Sequence, residues 1–224
     1  MGIVEVDAES EAAVRNFDPL TTPYEVEKFA FPVDGTWEEQ FTHLLRYVVL
    51  APSSHNTQPW KFQLFEQGIA VFADYSRRLP VTDPNNREML MGVGAAIMNL
   101  RVAAMHFGFA CDVHYNHGRR LDSLSGSSDM PIAFAGLTPT MPRTKTDELM
   151  EKLFFSISKR HTNRRPFLAA RVPDSIVARL SSLAQGSDAD LLISVDPRKN
   201  MKVAHLVATE ERLQQSDPDY RKEL

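Results

Sequence analysis

Residues 51–60 read Ala-Pro-Ser-Ser-His-Asn-Thr-Gln-Pro-Trp, directly after the apolar run Leu-Leu-Arg-Tyr-Val-Val-Leu at residues 44–50. The apolar run has helical spacing, and the prolines that follow cannot continue a helix. The pattern therefore predicts a helix that ends in a rigid polar loop, with a strand beginning near Lys61. Serine, asparagine and glutamine side chains in such a loop can pair with the carbonyl and imide groups of a flat ligand. The alternative is a plain connector whose Pro-Trp pair packs against the core.

A second segment, residues 156–171, contains five lysines and arginines and no acidic residue. Within it Arg160, Thr162 and Arg164 alternate, and alternate side chains of an extended segment point in the same direction. Two guanidinium groups and a hydroxyl would then converge, and arginine binds phosphate through paired hydrogen bonds. The alternative is a solvated basic loop at the end of a helix, where positive charge is favourable.

Hydrophobic periodicity outlines the remaining elements. A capping-box pattern at Thr36 and Glu39 marks the start of the helix before the polar loop, and Gln67-Gly68 indicates a hairpin turn. The pattern predicts helices over about 37–50, 86–106, 147–158, 174–185 and 199–215, and strands over about 61–66, 69–74, 109–115, 131–137 and 191–195. These elements predict an α+β protein with an antiparallel-rich sheet packed by helices. A weak symmetry between residues 36–65 and 173–195, each a helix, a loop and a strand, suggests an internal repeat.

The longest predicted helix, residues 86–106, has apolar or small residues around almost its whole circumference. This predicts a central helix that is buried on most sides, and its methionines, among them Met91 and Met98, are interpreted as core filler. Gly92 and Gly94 would each destabilise the helix by about 1 kcal/mol relative to alanine. Close approach of another backbone or of a ligand would compensate for that loss.

Composition argues against several classes of protein. With 224 residues, 43% of them hydrophobic, the chain can form a packed core, and its net charge of −4 argues against nonspecific nucleic-acid binding. The single cysteine, Cys111, allows no internal disulfide. The N-terminus lacks the features of a secretory signal, and no apolar run approaches the roughly 18 residues of a membrane span. We therefore expect a cytoplasmic protein without a nucleic-acid or membrane partner.

Two other groups of residues carry weaker signals. His114 and His117 flank a predicted turn without an acidic or cysteine partner at ligand spacing, so we expect no metal site. Arg77 and Arg78 are interpreted as a solvated turn, with a role in nucleotide docking as the alternative.

Three features resemble the nitroreductase family of flavoproteins. Residues 52–60 resemble its Pro-Ser-Ser-x-Asn-x-Gln-Pro-Trp signature almost letter for letter. Residues 159–164 resemble its Arg-x-Ser-x-Lys/Arg phosphate motif, with Thr162 in place of serine. The helix at residues 92–108 resembles the long central dimer helix of the family. The resemblance therefore implies a nitroreductase-like fold.

The order of the two motifs departs from ordinary members of the family, in which the phosphate motif comes first. The order found here is similar to a single-chain branch that includes mycobacterial Acg-like proteins, in which two half-repeats imitate a homodimer. The resemblance implies an arm at residues 1–35, a first half-repeat at 36–145 and the start of a second at 146–224. Because the amphipathic pattern continues to the last residue, we expect the second half-repeat to be incomplete. A homodimer and a pseudo-dimeric monomer both remain open.

The resemblance also implies a function: an FMN-dependent NAD(P)H oxidoreductase that reduces nitroaromatics, quinones or similar small-molecule acceptors by ping-pong hydride transfer. The flavin would carry the chemistry, so no side chain is expected to be catalytic. The expected FMN-binding residues are Pro52, Ser53, Ser54, Asn56, Gln58, Arg160, Thr162, Asn163 and Arg164. Two alternatives stay open: a protein that sequesters FMN with little turnover, and a degenerate fragment that neither binds nor reacts.

Overall fold

The computed structural model of the chain describes residues 23–116, 130–140, 148–163, 165–166, 170–185 and 190–223. The chain divides into two compact units, with the boundary between Thr162 and Asn163. The predicted organisation into an arm and two half-repeats stays a prediction.

The first unit contains three longer helices and one sheet. Its elements are α1 (Trp37–Val48), β1 (Trp60–Phe65), β2 (Gly68–Ala73), α2 (Arg87–His106), β3 (Phe109–Tyr115), β4 (Ala133–Pro139) and α3 (Glu148–Ile157). Short 3₁₀ segments lie at Pro23–Lys28, Ser54–Asn56 and Tyr75–Arg77. The helices and strands predicted for this unit are confirmed to within two residues at each end. The α+β class is confirmed as well.

Helix α1 begins where the capping pattern predicts. The Thr36 hydroxyl accepts a hydrogen bond from the Glu39 amide at 3.3 Å, and the Glu39 carboxylate accepts one from the Thr36 amide at 2.8 Å. The two bonds satisfy amides that the first helical turn leaves without partners. One face of α1 is buried in the core, including Phe41, Leu44 and Val48.

The sheet has the order β1-β2-β4-β3, and every neighbouring pair is antiparallel. The predicted hairpin joins β1 to β2, with Phe65 opposite Gly68. Gly68 has φ 153°, and a Cβ atom there would lie 2.0 Å from the carbonyl oxygen of Ala135. Only glycine therefore allows β4 to approach this turn.

Most positions of helix α2 are buried or half-buried, as predicted, but one stripe that includes Met91, Gly94 and Met98 is exposed. Its core-facing residues include Val93, Ile97 and Leu100, and each of these is almost fully buried. On the opposite side Met91 is 74% exposed and Met98 is 42% exposed, so these two methionines do not fill the core. An apolar sequence shows that a helix can be buried but not how many neighbours it has. By length and composition α2 could also span a membrane, but half of its apolar window is buried here, as a core helix requires.

Aromatic rings join the helices of the first unit. Phe107, just after α2, stacks on Phe31 with ring centroids 4.5 Å apart and meets the edge of Phe154 at 5.4 Å. Tyr47 of α1 lies 4.8 Å from Phe154 of α3. These contacts pack α3 against α1. The chain that follows α3 therefore begins close to the end of α1.

The second unit contains α4 (Asp174–Ala184), α5 (Pro197–Ser216) and the short α6 (Pro218–Glu223), and α4 and α5 have no buried residue. The strand predicted at residues 191–195 is wrong, since these residues are not in a strand and Leu192 is 94% exposed. A strand needs a neighbouring strand for its backbone hydrogen bonds, and none pairs with this segment among the described residues. The weak internal symmetry therefore lacks its second strand in the described part of the chain.

Candidate functional site

The polar loop at residues 52–60 connects α1 to β1 and has an unusual backbone. His55, Asn56 and Gln58 all have positive φ, at 49°, 56° and 49°. Left-handed backbone costs a residue other than glycine roughly 1 kcal/mol or more. Such strain persists only where surrounding contacts hold it, and it is concentrated at functional sites. Positive φ at three residues other than glycine favours a functional loop over a plain connector, although Pro59 and Trp60 are buried, as the connector alternative predicts.

Two of the predicted ligand-binding side chains shape the loop itself. The Ser53 hydroxyl accepts a hydrogen bond from the Gln58 amide at 3.0 Å. The side-chain amide of Gln58 donates to the carbonyl oxygen of Val49 at 3.4 Å, which ties the loop to the end of α1. Pro52 and Asn56, in contrast, are exposed.

The start of α2 lies against the loop. Ser54 donates a short hydrogen bond to the carboxylate of Glu88, in the first turn of α2. A Cβ atom at Gly92 would lie 3.4 Å from the Ser53 Cβ and 3.6 Å from the Pro52 carbonyl oxygen. The close backbone approach expected at the glycines is therefore confirmed at Gly92. At Gly94 no described atom of the chain lies within 4 Å of a Cβ, so approach of a ligand or of another chain there stays a prediction.

A buried carboxylate braces the loop from the side of the sheet. Asp74, at the end of β2, is 6% exposed at its side chain and lies 3.1 Å from the Lys61 ammonium and 3.4 Å from the Arg77 guanidinium. Ser76 donates to the same carboxylate at 2.6 Å. Burial alone would raise the pKa of Asp74, but the hydrogen bonds from Ser76 and Lys61 outweigh it and hold the pKa below its ordinary value.

Arg77 also reaches the loop directly, since its Nη1 donates to the carbonyl oxygen of Thr57 at 3.2 Å. Arg77 and Arg78 are exposed at the 3₁₀ turn Tyr75–Arg77, as the solvated-turn interpretation predicts, but the contact of Arg77 with the loop was not expected. The sequence analysis missed Glu88, Asp74 and Arg77. The one available signal was an aspartate directly after an apolar strand, with a serine two positions later and an arginine three positions later.

The structure brings the basic segment to the loop through Arg160. Its Nη2 donates to the carbonyl oxygen of Leu50 at 3.2 Å, although the two residues are 110 positions apart. The neighbouring Ser158 is buried and donates to Glu27 at 2.6 Å, which fixes the segment just after α3. Arg160 therefore lies at the last residues before the polar loop, inside the first unit.

The other predicted residues of this segment are placed differently. Thr162 is exposed in the first unit. Asn163 begins the second unit, where its side-chain oxygen accepts a hydrogen bond from the Arg165 amide at 3.0 Å. Arg164 lies outside the described residues. The convergence of Arg160, Thr162 and Arg164 therefore stays a prediction.

Neither a metal centre nor a reactive thiol competes for the role of functional site in the described part of the chain. No group of three histidine, cysteine, aspartate or glutamate residues there could hold a metal ion. His117 lies outside that part, while His114 is exposed and pairs with Asp112 at 3.0 Å. Burial raises the pKa of Cys111 to about 11, so its thiol is protonated and unreactive at neutral pH.

Comparison with curated proteins confirms the resemblance that the motifs predict. The chain is 28% identical over 181 residues to Rv3131 of Mycobacterium tuberculosis, whose provisional name is NAD(P)H nitroreductase; the match covers 81% of this chain. It is 30% identical over 178 residues, 79% of the chain, to PigM of a Serratia strain, also provisionally named an NAD(P)H nitroreductase. A shorter match, 41% identical over 63 residues, is to the Acg protein of M. tuberculosis.

The chain spans about half the length of the first two relatives, since each match covers 48% of the longer protein. No family model matches the chain. Among solved structures, the chain is similar to a provisionally named nitroreductase of Exiguobacterium sibiricum in complex with FMN. That match has 16% identity and a TM-score of 0.36, and it covers 70% of this chain and 96% of the other.

Proposed function

We propose that the chain forms the flavin-binding part of an FMN-dependent NAD(P)H oxidoreductase that reduces nitroaromatics, quinones or similar acceptors by a ping-pong mechanism. One observation carries the proposal: the Arg160 guanidinium is held at Leu50, beside the strained polar loop that matches the flavoprotein signature. Two distant segments that were each predicted to bind part of one cofactor are thereby neighbours.

The residues present fit FMN in their chemistry. A guanidinium has several N–H donors, and only one of those of Arg160 is engaged by Leu50, so the others can bind phosphate. Asn56 is exposed, and its side-chain amide can donate to a carbonyl and accept from an imide. The Ser54 hydroxyl donates a hydrogen bond to Glu88, so its oxygen can still accept a hydrogen bond from a ligand.

FMN, when bound, would supply hydride transfer between the nicotinamide and the acceptor. The side chains would bind and orient it, and none would need to move a proton. Arg160 and Thr162 would bind the phosphate, and Pro52, Ser53, Ser54, Asn56 and Gln58 would line the ribityl chain and the ring edge. Ser53 and Gln58 would contribute mainly by shaping the loop, given the hydrogen bonds that engage them. Asn163 and Arg164 complete the proposed set, with Arg164 near the pyrimidine edge, where its charge would stabilise the reduced ring.

A second candidate is FMN binding with little turnover. In that case the loop and the basic segment would hold FMN, but the acceptor would not reach the flavin. The residues proposed to bind FMN are the same for both candidates.

Flavin binding and turnover separate the two candidates. We expect the purified chain to bind FMN, as measured by quenching of flavin fluorescence, and to oxidise NADPH or NADH when menadione or nitrofurazone is added. FMN binding without turnover would favour the second candidate. Absence of FMN binding would contradict both.

The phosphate assignment predicts a large effect at Arg160. Loss of a charge-assisted bidentate contact removes roughly 1.5–3 kcal/mol, so Arg160→Ala should weaken FMN binding by about 10- to 100-fold. Lys159→Ala is the matched control, since this exposed neighbour carries the same charge. Because Arg160 also binds the Leu50 carbonyl, thermal melting of the apo-protein should accompany the titration. Equal FMN affinities for the two variants would show that Arg160 does not hold the phosphate.

A further inference from the structure

One of the three positive φ values in the polar loop, that of Gln58, is set by the peptide unit between Thr57 and Gln58. Asn56 and Gln58 have positive φ, while Thr57 between them has φ −64° and ψ −22°. Rotation of the peptide plane between Thr57 and Gln58 by about 180° would move φ of Gln58 into the negative, ordinary region, at ψ and φ values that most residues tolerate. The strained conformation therefore requires groups that keep this plane from rotating.

Both ends of that peptide unit are held by side chains. The N–H of Gln58 donates to the Ser53 hydroxyl at 3.0 Å, and the carbonyl oxygen of Thr57 accepts from the Arg77 guanidinium at 3.2 Å. After a rotation the carbonyl would point away from Arg77 and the N–H away from Ser53. Each of the two contacts therefore favours the observed plane over the rotated one.

Asp74 fixes the direction of the Arg77 side chain. Its carboxylate is buried and lies 3.4 Å from Arg77 Nε, while Lys61 and Ser76 hold the same carboxylate from other directions. The backbone amide of Asp74 also donates to the carbonyl oxygen of Pro59 at 3.0 Å, so the carboxylate is attached to the end of the loop. The guanidinium thus contacts both the buried Asp74 carboxylate beside the sheet and the Thr57 carbonyl oxygen in the loop.

We propose that Arg77, oriented by Asp74, is a positioning residue that holds the Thr57–Gln58 peptide in the plane that gives Gln58 its positive φ, and thereby keeps the loop in the conformation that binds its ligand. The inference rests on the proposed function, because FMN is the ligand whose affinity should report the loop conformation. Arg77 is 51% exposed, so its ion pair with Asp74 by itself contributes little to stability. Its effect is expected at the Thr57–Gln58 peptide, where it opposes local strain.

Amide hydrogen exchange tests the positioning without any ligand. Arg77→Met removes both contacts of the guanidinium, and we expect faster exchange in peptides that cover residues 56–60. Arg78→Met is the matched control, since it removes the same charge from the next residue, which is exposed, and should leave exchange as in the wild type. Arg77→Lys can reach either the carboxylate or the carbonyl but not span both, so it should give an intermediate result.

FMN titration of the same three variants tests the link to binding. We expect Arg77→Met to raise the Kd for FMN about tenfold, the size of one lost charge-assisted hydrogen bond, and Arg78→Met to change it less than twofold. Thermal melting checks that each variant is folded. If Arg77→Met does not fold, the comparison is made with Arg77→Lys instead.

The outcomes separate the proposals. Unchanged exchange in Arg77→Met, or faster exchange with unchanged FMN affinity, would overturn the positioning role. Weaker FMN binding with unchanged exchange would mean that Arg77 contacts the ligand itself. Equal weakening of FMN binding in both methionine variants would mean a general charge effect. Either result would also overturn the positioning role. A wild-type chain that binds no FMN would contradict the proposed function, whereas the exchange comparison would still show whether Arg77 holds the peptide.

Discussion

At the scale of single residues, His43 has an environment that penalises its charge. It lies in the buried face of α1 with 4% of its surface exposed, and its Nε2 has no hydrogen-bond partner among the described residues. The rings of Phe31 and Phe107 meet it edge to face at 5.3 and 5.0 Å. Burial, and secondarily the charge of Arg46, lowers the pKa of His43 to about 4 from its ordinary 6.5.

This shift makes stability depend on pH. Above pH 6.5 the histidine is neutral in both states, and between about pH 6.5 and 4 the unfolded state binds a proton that the folded state does not. The free energy of unfolding should therefore fall as the pH drops through that window, by up to about 3 kcal/mol at about 1.4 kcal/mol per pKa unit. Urea unfolding of wild type and His43→Gln between pH 7.5 and 4 measures the difference. His114→Gln, at an exposed position, should keep the wild-type dependence.

Residue identity predicted only part of the candidate site. The loop and the basic segment are recognisable because their residue types are unusual for a connector, and Arg160 does lie beside the loop. Glu88 and Arg77 contact the loop across 34 and 20 positions of sequence, so no local pattern reveals them. Nor does a sequence show that Ser53 bonds to the Gln58 amide and that the Gln58 side chain bonds to Val49. These hydrogen bonds depend on backbone φ values that only the folded chain fixes.

At the scale of elements, α2 connects the core to the candidate site through Gly92 as well as through Glu88. Its buried side packs in the core, while Gly92 in its second turn lies against Pro52 and Ser53. Gly94 is exposed, with open space where a side chain would begin. Both glycines lower the stability of the helix, but only Gly92 is also needed for close packing against the loop. Substitutions at the two positions therefore measure the two effects separately.

Substitution of these glycines should have opposite effects. Gly94→Ala should raise the free energy of unfolding by about 0.5–1 kcal/mol, because alanine favours the helix and meets no neighbour. Gly92→Leu should lower it and weaken FMN binding, because the added carbons must displace the Ser53 end of the loop. Denaturant unfolding and FMN titration measure the two effects. A Gly92→Leu variant that keeps wild-type FMN affinity would show that α2 does not set the position of the loop.

Elements with local signals were predicted well, and those that depend on neighbours were not. The capped start of α1 and the β1–β2 hairpin are confirmed because caps and tight turns are encoded within a few residues. Residues 191–195 form a short apolar run that is typical of a strand, but they have no partner strand among the described residues. The exposed side of α2 was missed for a similar reason, since periodicity cannot count the elements that pack around a helix.

At the scale of the whole molecule, the second unit exposes much apolar surface. On α4, Ile176, Leu180 and Leu183 recur at helical spacing and are 49%, 47% and 57% exposed. On α5 the exposed apolar residues are Met201, Val203, Leu206, Val207 and Leu213. Contiguous exposed apolar surface of this kind marks an interaction site or promotes association. Since the chain spans 48% of the longer relatives, their remaining half is one source of surface that would cover it.

This surface predicts that the isolated chain associates with itself. Light scattering coupled to size exclusion should show a mass above the 25.3 kDa of one chain that rises with concentration, together with enhanced fluorescence of an apolar dye. The double variant Leu180→Lys/Leu183→Lys should shift the distribution toward the monomer, because each lysine puts a charge on the α4 face. Val33→Lys is the control, since Val33 is 74% exposed in the first unit, away from α4 in sequence, and its substitution should change neither readout. A wild-type chain that stays monomeric and does not enhance the fluorescence of the dye would contradict this prediction.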